Sequence, residues 1–148
     1  NGGYKINPTL LKKREKFEKG EQIISEQNSK KINNILRKIV TSSEGTANLA
    51  NIDGYEIAGK TGTAQKSIEG KYSKKKVNTF ASIFPTSDPK FVLAVMLDEP
   101  KANREFVYHY RDERYPYKGN WRNTAGWTTV WVTGQIMDKI GPILATKY

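Results

Sequence analysis

The chain has 148 residues, a net charge of +10 and no cysteine. The lack of cysteine excludes disulfide scaffolds, thiolate nucleophiles and cysteine-ligated zinc clusters, and the longest apolar run, residues 91–97, is far shorter than the ~20 residues of a membrane-spanning helix. Aromatic residues make up 11% of the chain, a content that disordered chains generally lack, so we expect one folded domain over residues 1–148.

The first part of the chain predicts a loop followed by a helix. Residues 1–22 are polar, and the sequence around Asn1 is typical of the middle of a loop, so we expect the chain to be a piece of a longer protein. Apolar residues then recur at helical spacing, with charged residues on the opposite face. The predicted helix begins at a cap supplied by Asn28 or Ser29 and ends before Gly45. Its apolar positions are Ile32, Ile35, Leu36, Ile39 and Val40.

Three neighbouring antiparallel strands are predicted next, at residues 55–64, 77–84 and 91–97. The first opens on a short alternation, with Tyr55 and Ile57 opposite Glu56 and Ala58. The second places Val77, Thr79, Ala81 and Ile83 on one face and Phe80, Ser82 and Phe84 on the other. The third is apolar at every position, which predicts a strand covered on both faces. Residues 65–76 carry five lysines and are predicted to form a solvated hairpin loop between the first two strands.

The last part of the chain predicts an inserted loop and a second helix. Residues 103–123 interleave aromatic and basic side chains, which can stack on bases or glycans, although packing of this loop on its own domain is the favoured interpretation. The one histidine, His109, has no second candidate ligand, so no metal site is predicted. A helix is predicted at residues 124–140, with Pro142 close to its end. The sum is an α+β fold, with helices packed on an antiparallel sheet.

The segment 59–63 reads Gly-Lys-Thr-Gly-Thr, and two chemistries compete for it. Together with Gly54 it fits the phosphate-binding loop G-x-x-x-x-G-K-[ST], and Asp98 and Glu99 after an apolar strand fit a magnesium-binding pair. Such a loop must follow a buried strand and open into a helix whose N terminus faces the phosphate. The residues before Gly54 form no such strand and those after Thr61 make a poor helix, so a nucleotide site is disfavoured.

The other chemistry is that of the K-T-G motif of serine acyltransferases. Lys60 would supply a fixed positive charge in the cleft, and the hydroxyls of Thr61 and Thr63 would bind the terminal carboxylate of a peptide. Gly62 would let that peptide lie close to the strand and pair with its backbone.

Five blocks in the same order resemble the C-terminal portion of a class B penicillin-binding-protein transpeptidase domain, of the cell-division FtsI-like type. The blocks are residues 1–3 with 8–10, 32–40 with 45–47, 54–64, 78–85 and 91–101. The resemblance implies a partial penicillin-binding-protein fold and a serine D,D-transpeptidase that cross-links peptidoglycan stem peptides and is acylated by β-lactams. It implies that Lys60 and Thr63 are catalytic, with the Thr63 N–H as half of the oxyanion hole. It implies that Thr61, Gly62 and Thr63 bind substrate, with no cofactor and no metal.

The motifs that would carry the nucleophile depart from this pattern. S-x-N is absent, and Ser73 with Lys76 fits S-x-x-K only in a polar stretch of lysines where no helix starts. We therefore expect the serine to lie in an upstream part of the same domain. We also expect an upstream membrane anchor that holds the protein at the periplasmic face of the inner membrane. The chain alone should form no covalent penicillin adduct and, with one sheet face uncovered, should be marginally stable or self-associate.

The expected partners follow from the same resemblance. They are stem peptides, β-lactams, the upstream part of the domain and other division proteins, which could contact residues 103–123. A function of another class is a basic binding module for nucleic acid or an anionic polymer, and it would place its cations on one face away from Lys60. Nucleic acid is the less favoured partner, because the basic clusters are short and interleaved with acidic residues.

Overall fold

The computed structural model describes residues 1–11, 19–108, 117–120 and 122–146. In chain order these form helix α1 (Glu26–Thr41), strands β1 (Ala58–Ile68), β2 (Lys71–Phe84), β3 (Phe91–Asp98), β4 (Asn103–Tyr108) and β5 (Tyr117–Asn120), and helix α2 (Thr129–Ala145). Two short 3-10 helices, Asn48–Ala50 and Ala125–Trp127, precede β1 and α2. The predicted α+β class is confirmed. No helix among the described residues is long and apolar enough to cross a membrane.

Helix α1 begins three residues before the predicted cap. The Ser25 hydroxyl accepts the N–H of Asn28 at 3.2 Å and caps the helix. The first turn is polar and exposed, and Glu26 pairs with Lys30 at 2.7 Å, so a prediction that counted back from the first apolar residue placed the start too late. Gly45 lies beyond the end of the helix, as predicted, and its N–H donates to Ser42 at 2.9 Å.

The main sheet has three antiparallel strands in the order β1-β2-β3, as predicted. Strand β1 begins at Ala58 rather than at residue 55, because Glu56 has a positive φ of 45° and interrupts the extended backbone. The predicted loop at residues 65–76 is mostly paired strand. Its turn is only Glu69 and Gly70, whose φ angles of 51° and 77° are typical of a two-residue hairpin turn.

The hydrophobic core lies between one face of this sheet and the two helices. Phe80 of β2 packs with Val40 of α1 and Val130 of α2, and Phe84 packs with Met137 of α2. All five side chains are at least 95% buried. The predicted alternation of β2, with its phenylalanines on one face, is confirmed.

The opposite face of the sheet is exposed in the described residues. Val92 and Met96 of β3 are 76% and 69% exposed, and every second residue of this strand is exposed. Ile35 of α1 is also 60% exposed. The prediction that β3 is covered on both faces is therefore wrong for this chain, because an apolar sequence shows which faces can be buried and not whether this chain supplies the cover. Self-association or marginal stability of the chain stays a prediction.

Helix α2 begins at Thr129, later than predicted, because a 3-10 helix occupies residues 125–127. It also runs past Pro142, which lies in its last turn. A proline there removes one backbone hydrogen bond near an end where the helix already frays, so the helix tolerates it. Gly134 allows close packing, because a Cβ at this position would collide with the carbonyl oxygen of Leu49.

Strands β4 and β5 form a separate two-stranded antiparallel sheet within the segment predicted to be an inserted loop. The ring of Phe106 meets Trp131 of α2 edge-on, with ring centres 5.1 Å apart. This contact supports the interpretation that the segment packs on its own domain. Residues 109–116 and 121, with His109 and several of the aromatic and basic side chains, lie outside the described residues.

Candidate functional site

The Gly-Lys-Thr-Gly-Thr segment lies within strand β1, where Lys60 pairs with Ala81 and Thr63 with Asn78. The strand continues to Ile68, so no helix follows the lysine. A phosphate-binding loop needs that helix, and the nucleotide-binding alternative is therefore wrong. Asp98, one of the two residues that would have held magnesium, is paired with a lysine instead.

The hydrogen-bond pattern of β2 determines which way the backbone of β1 points. The carbonyl of Lys76 accepts the N–H of Glu99 at 2.8 Å, so the backbone groups of Lys76 face β3. Backbone groups alternate from one side to the other along an antiparallel strand, and those of Thr79, three residues on, therefore face β1. Its register partner on β1 is Gly62, which makes Gly62 and every second residue from it the positions bonded to β2.

Thr61 and Thr63 consequently direct their N–H and C=O groups away from β2. Among the described residues no strand pairs with that side of β1, and we call it the free edge of β1. An independent contact agrees with this assignment, because the ammonium of Lys60 donates to the Thr61 carbonyl at 2.9 Å. The free edge can therefore accept an extended peptide as an added strand.

The hydroxyls of Thr61 and Thr63 share one face of β1 and line a cleft of about 690 Å³. Its other walls come from the loop after α1, which includes Thr46, and from the segment before α2, which includes Ala125. The Ala125 N–H donates to Thr63 Oγ1 at 3.0 Å, and the hydroxyls of Thr46 and Thr61 lie 3.0 Å apart. Each hydroxyl has one hydrogen. The Thr63 hydroxyl accepts from Ala125 and can still donate its own hydrogen. The Thr46–Thr61 pair uses one of its two hydrogens within the pair and can donate the other. The cleft can offer two O–H donors to an anion such as a carboxylate.

Lys60 and Gly62 lie on the other face of β1, because side chains alternate along a strand. Lys60 is exposed, and its ammonium reaches around to the free edge rather than into the cleft. A Cβ at Gly62 would lie 2.5 Å from the Thr79 hydroxyl. The glycine therefore leaves this face of the strand without a side chain beside the free edge. The structure thus places the two hydroxyls in one cleft and the ammonium at its rim.

Sequence reasoning missed Thr46 and Ala125 as parts of this site. Thr46 is 15 residues and Ala125 is 62 residues from its partner threonine. No local spacing links positions so far apart. The Gly-Thr pair at 45–46 was visible only as one of the blocks that resemble the family.

Two serine–lysine pairs fit S-x-x-K, and neither forms a nucleophile–base pair. Ser73 and Lys76 both lie in β2, where an offset of three residues puts side chains on opposite faces. The second match, Ser87 with Lys90, was missed in the sequence and lies in the exposed turn between β2 and β3. Hydrogen bonds from Ser87 lower the pKa of the Glu56 carboxyl, and Lys90 pairs with an aspartate.

A cluster of opposite charges joins the turn end of the β1–β2 hairpin to the residues at the end of β3. The ammonium of Lys66 lies 2.8 Å from Asp98 and 2.9 Å from Glu99, and Lys75 lies 3.3 Å from Glu99. Hydrogen bonds to Asp98 and Glu99 raise the pKa of Lys66, and the hydrogen bond from Lys66 lowers the pKa of Glu99. Because these lysines are neutralised by acids of the same chain, the cluster does not favour the alternative of a basic binding module.

We expect this cluster to make the hairpin pH-sensitive. The lowered pKa of Glu99 contributes stability that is present above its ordinary value of 4.5 and is lost as the pH falls through the lowered pKa. The raised pKa of Lys66 contributes stability that is present below 10.5 and is lost as the pH rises through the raised pKa. The Glu99→Gln variant should therefore show faster hydrogen exchange of the hairpin amides than the unchanged protein at neutral pH and no difference at either extreme. A difference that is the same at every pH would contradict the assignment.

Comparison with known proteins agrees with the family resemblance of the sequence. The family model described as "Penicillin binding protein transpeptidase domain" matches residues 1–116. A probable peptidoglycan D,D-transpeptidase PenA of Neisseria flavescens is 35% identical over 97 residues, and the match covers 65% of this chain and 24% of that protein. Stage V sporulation protein D of Bacillus subtilis is 41% identical over 87 residues, covering 58% of this chain and 13% of that protein.

The fold also matches solved structures. The TP domain of penicillin-binding protein 3 from Burkholderia pseudomallei superposes with a TM-score of 0.64 at 23% identity, over 90% of this chain and 35% of that one. The chain spans less than a quarter of the length of the two relatives named above. The family match over most of the residues, with the fold that accompanies it, shows that the chain belongs to the penicillin-binding-protein transpeptidase family.

Proposed function

We propose that this chain is part of a serine D,D-transpeptidase of the bacterial cell envelope, which cross-links peptidoglycan stem peptides and is acylated by β-lactams. The observation that carries the proposal is the free edge of β1. It combines an outward N–H of Thr63 with the hydroxyls of Thr61 and Thr63 in the adjoining cleft. These are the groups that binding an extended peptide by its carboxyl end requires.

Each group has a definite role in this reaction. The stem peptide pairs with the free edge of β1, and Gly62 allows its close approach. Thr61 and Thr63 donate their hydroxyl hydrogens to the terminal carboxylate, in charge-assisted hydrogen bonds. The Thr63 N–H donates to the oxyanion that forms when a serine attacks the peptide carbonyl. Lys60 supplies positive charge beside the attacking group.

The chemistry proceeds in two acyl transfers. The serine hydroxyl adds to the carbonyl before the terminal D-alanine, and the C–N bond breaks to release that residue and leave an acyl-serine. The amine of a neighbouring stem then attacks the acyl-serine and restores the hydroxyl. A β-lactam undergoes only the first of these transfers: the serine opens its ring, and the resulting acyl group stays on the serine.

The serine and the membrane anchor are proposed to come from other parts of the same protein. Neither S-x-x-K match in the 148 residues has the geometry of a nucleophile–base pair, and the apolar outer face of the sheet, with Val92 and Met96, is uncovered. The rest of the transpeptidase domain would cover this face and carry the serine. Partner proteins of cell division belong to the same proposal.

Labelling with a fluorescent penicillin tests the proposal directly. The complete transpeptidase that contains this chain should give a labelled band after denaturing electrophoresis, and prior unlabelled penicillin should abolish it. The 148-residue chain alone should give none, because the acyl bond needs the serine. A labelled band from the chain alone would place the nucleophile within these residues, and an unlabelled complete protein would contradict the proposed function.

A further inference from the structure

One buried amide ties together the parts of the cleft that surround Thr63. Asn78 of β2 is fully buried and is the register partner of Thr63. Its Nδ2 donates to the Asn123 carbonyl at 2.9 Å and to Thr128 Oγ1 at 2.8 Å. A backbone carbonyl can only accept a hydrogen bond, so the orientation of the amide group is fixed by this contact.

The two bonds hold both ends of the segment that precedes α2. Asn123 lies before the 3-10 helix and Thr128 after it, and Thr128 Oγ1 donates in turn to the Thr124 carbonyl at 3.0 Å. Between these ends lies Ala125, whose N–H donates to Thr63 Oγ1 at 3.0 Å. The position of Asn78 therefore fixes the N–H that occupies one lone pair of the Thr63 hydroxyl.

An amide is an unfavourable choice at this position unless its donors are needed. The other inward positions of β2 are Phe80, Ser82 and Phe84; the two phenylalanines lie in the core, and the hydroxyl of Ser82 has a hydrogen-bond partner. Asn78 Oδ1 has no hydrogen-bond partner among the described residues, and a buried acceptor without a partner is destabilising. An apolar side chain would avoid this loss and could not hold the segment.

We propose that Asn78 is a positioning residue for the substrate carboxylate. It acts through Asn123 and Thr128, which hold the Ala125 N–H against Thr63 Oγ1, so that the hydroxyl hydrogen of Thr63 points into the cleft. The inference rests on the proposed function, because it needs Thr63 to bind a carboxylate.

The test uses acylation rates of the complete transpeptidase with a penicillin and with its methyl ester, which lacks the carboxylate charge. Asn78→Leu removes both N–H donors of the amide and puts an apolar side chain of similar size in its place. Thr128→Val removes the hydroxyl that accepts from Asn78 and keeps the shape of the side chain. Each variant should slow acylation by the penicillin roughly 3- to 10-fold, because a charge-assisted hydrogen bond is weakened and not removed. The rate of acylation by the ester should change less than about twofold, because the ester has no carboxylate with which Thr63 could form a charge-assisted hydrogen bond.

Ser82→Ala is the matched control. Ser82 is a buried polar residue on the same face of β2, but its hydroxyl donates to Leu93 of β3 at 2.9 Å. This variant should leave both acylation rates unchanged, and combining Thr63→Val with Thr128→Val should cost no more than Thr63→Val alone.

Three results would overturn the inference. They are equal slowing with penicillin and ester, no slowing with either variant, and additive losses in the double variant. If the Asn78→Leu variant does not fold, the acylation rates of the Thr128→Val variant with penicillin and ester test the inference by the same criteria. If Thr63→Val itself leaves the penicillin rate unchanged, the proposed role of Thr63 fails, and this result separates the failure of the proposed function from that of the inference.

Discussion

Replacing Thr63 with valine in the complete transpeptidase is expected to slow acylation by penicillin roughly 10- to 100-fold, because it removes one hydrogen bond to a carboxylate, which contributes about 1.5–3 kcal/mol. Valine keeps the shape and the β-branch of threonine, so strand β1 should be unchanged. Replacing Thr61 as well removes the hydroxyl that pairs with Thr46 and should slow the reaction further. Stopped-flow or time-resolved labelling with a fluorescent penicillin measures the rates.

Two variants control this experiment. Thr63→Ser keeps the hydroxyl and should retain most of the rate. Ser67→Ala removes a hydroxyl from the same strand, beyond the irregularity in pairing near Gln65, and should have no effect. If Thr63→Val and Ser67→Ala behave alike, the cleft at Thr63 is not the carboxylate site.

Replacing Phe80 with alanine should destabilise the domain by about 3–5 kcal/mol, the loss typical of a large buried aromatic side chain. Phe80 is fully buried and packs beneath β1, where a Cβ at Gly59 would lie 2.7 Å from its ring. The same ring contributes to the core that joins α1 and α2 to the sheet. Its removal leaves a cavity under the candidate site as well as in the core. Urea unfolding of the complete protein, followed by fluorescence, measures the loss.

Tyr72→Ala provides the comparison for an exposed aromatic residue. Tyr72 lies in the β1–β2 hairpin and is 82% exposed, so its replacement should change the free energy of unfolding by less than about 0.5 kcal/mol. Similar losses for the two variants would show that Phe80 does not lie in the core described above.

Several local features could be predicted because they depend only on neighbouring residues. The two-residue period of β2 predicted that Phe80 and Phe84 share a face, and the structure shows that this face is buried. The helical spacing predicted α1 and its end before Gly45, although not its first turn. Alternation also places Lys60 and Thr61 on opposite faces of β1. That the charge of Lys60 serves the cleft lined by both threonines stays a prediction.

Other features depended on contacts that the sequence does not show. The exposure of Val92 on β3 could not be predicted, since an apolar side chain is buried only if some other segment covers it. The pairing within residues 65–76 was missed because five lysines masked a strand whose turn, Glu69 and Gly70, is only two residues long.

The sequence by itself determined the family of the protein, the strand that carries residues 59–63 and the residue types that can bind a carboxylate, because motif order and strand periodicity are properties of the chain. Only the tertiary structure decided that β1 has a free edge, that Ala125 donates to Thr63 and that Asn78 holds Ala125 in place. The hydrogen bonds concerned join residues 45–62 positions apart. Their geometry is fixed by the packing of α2 and the sheet around a shared core, which no local pattern in the sequence encodes.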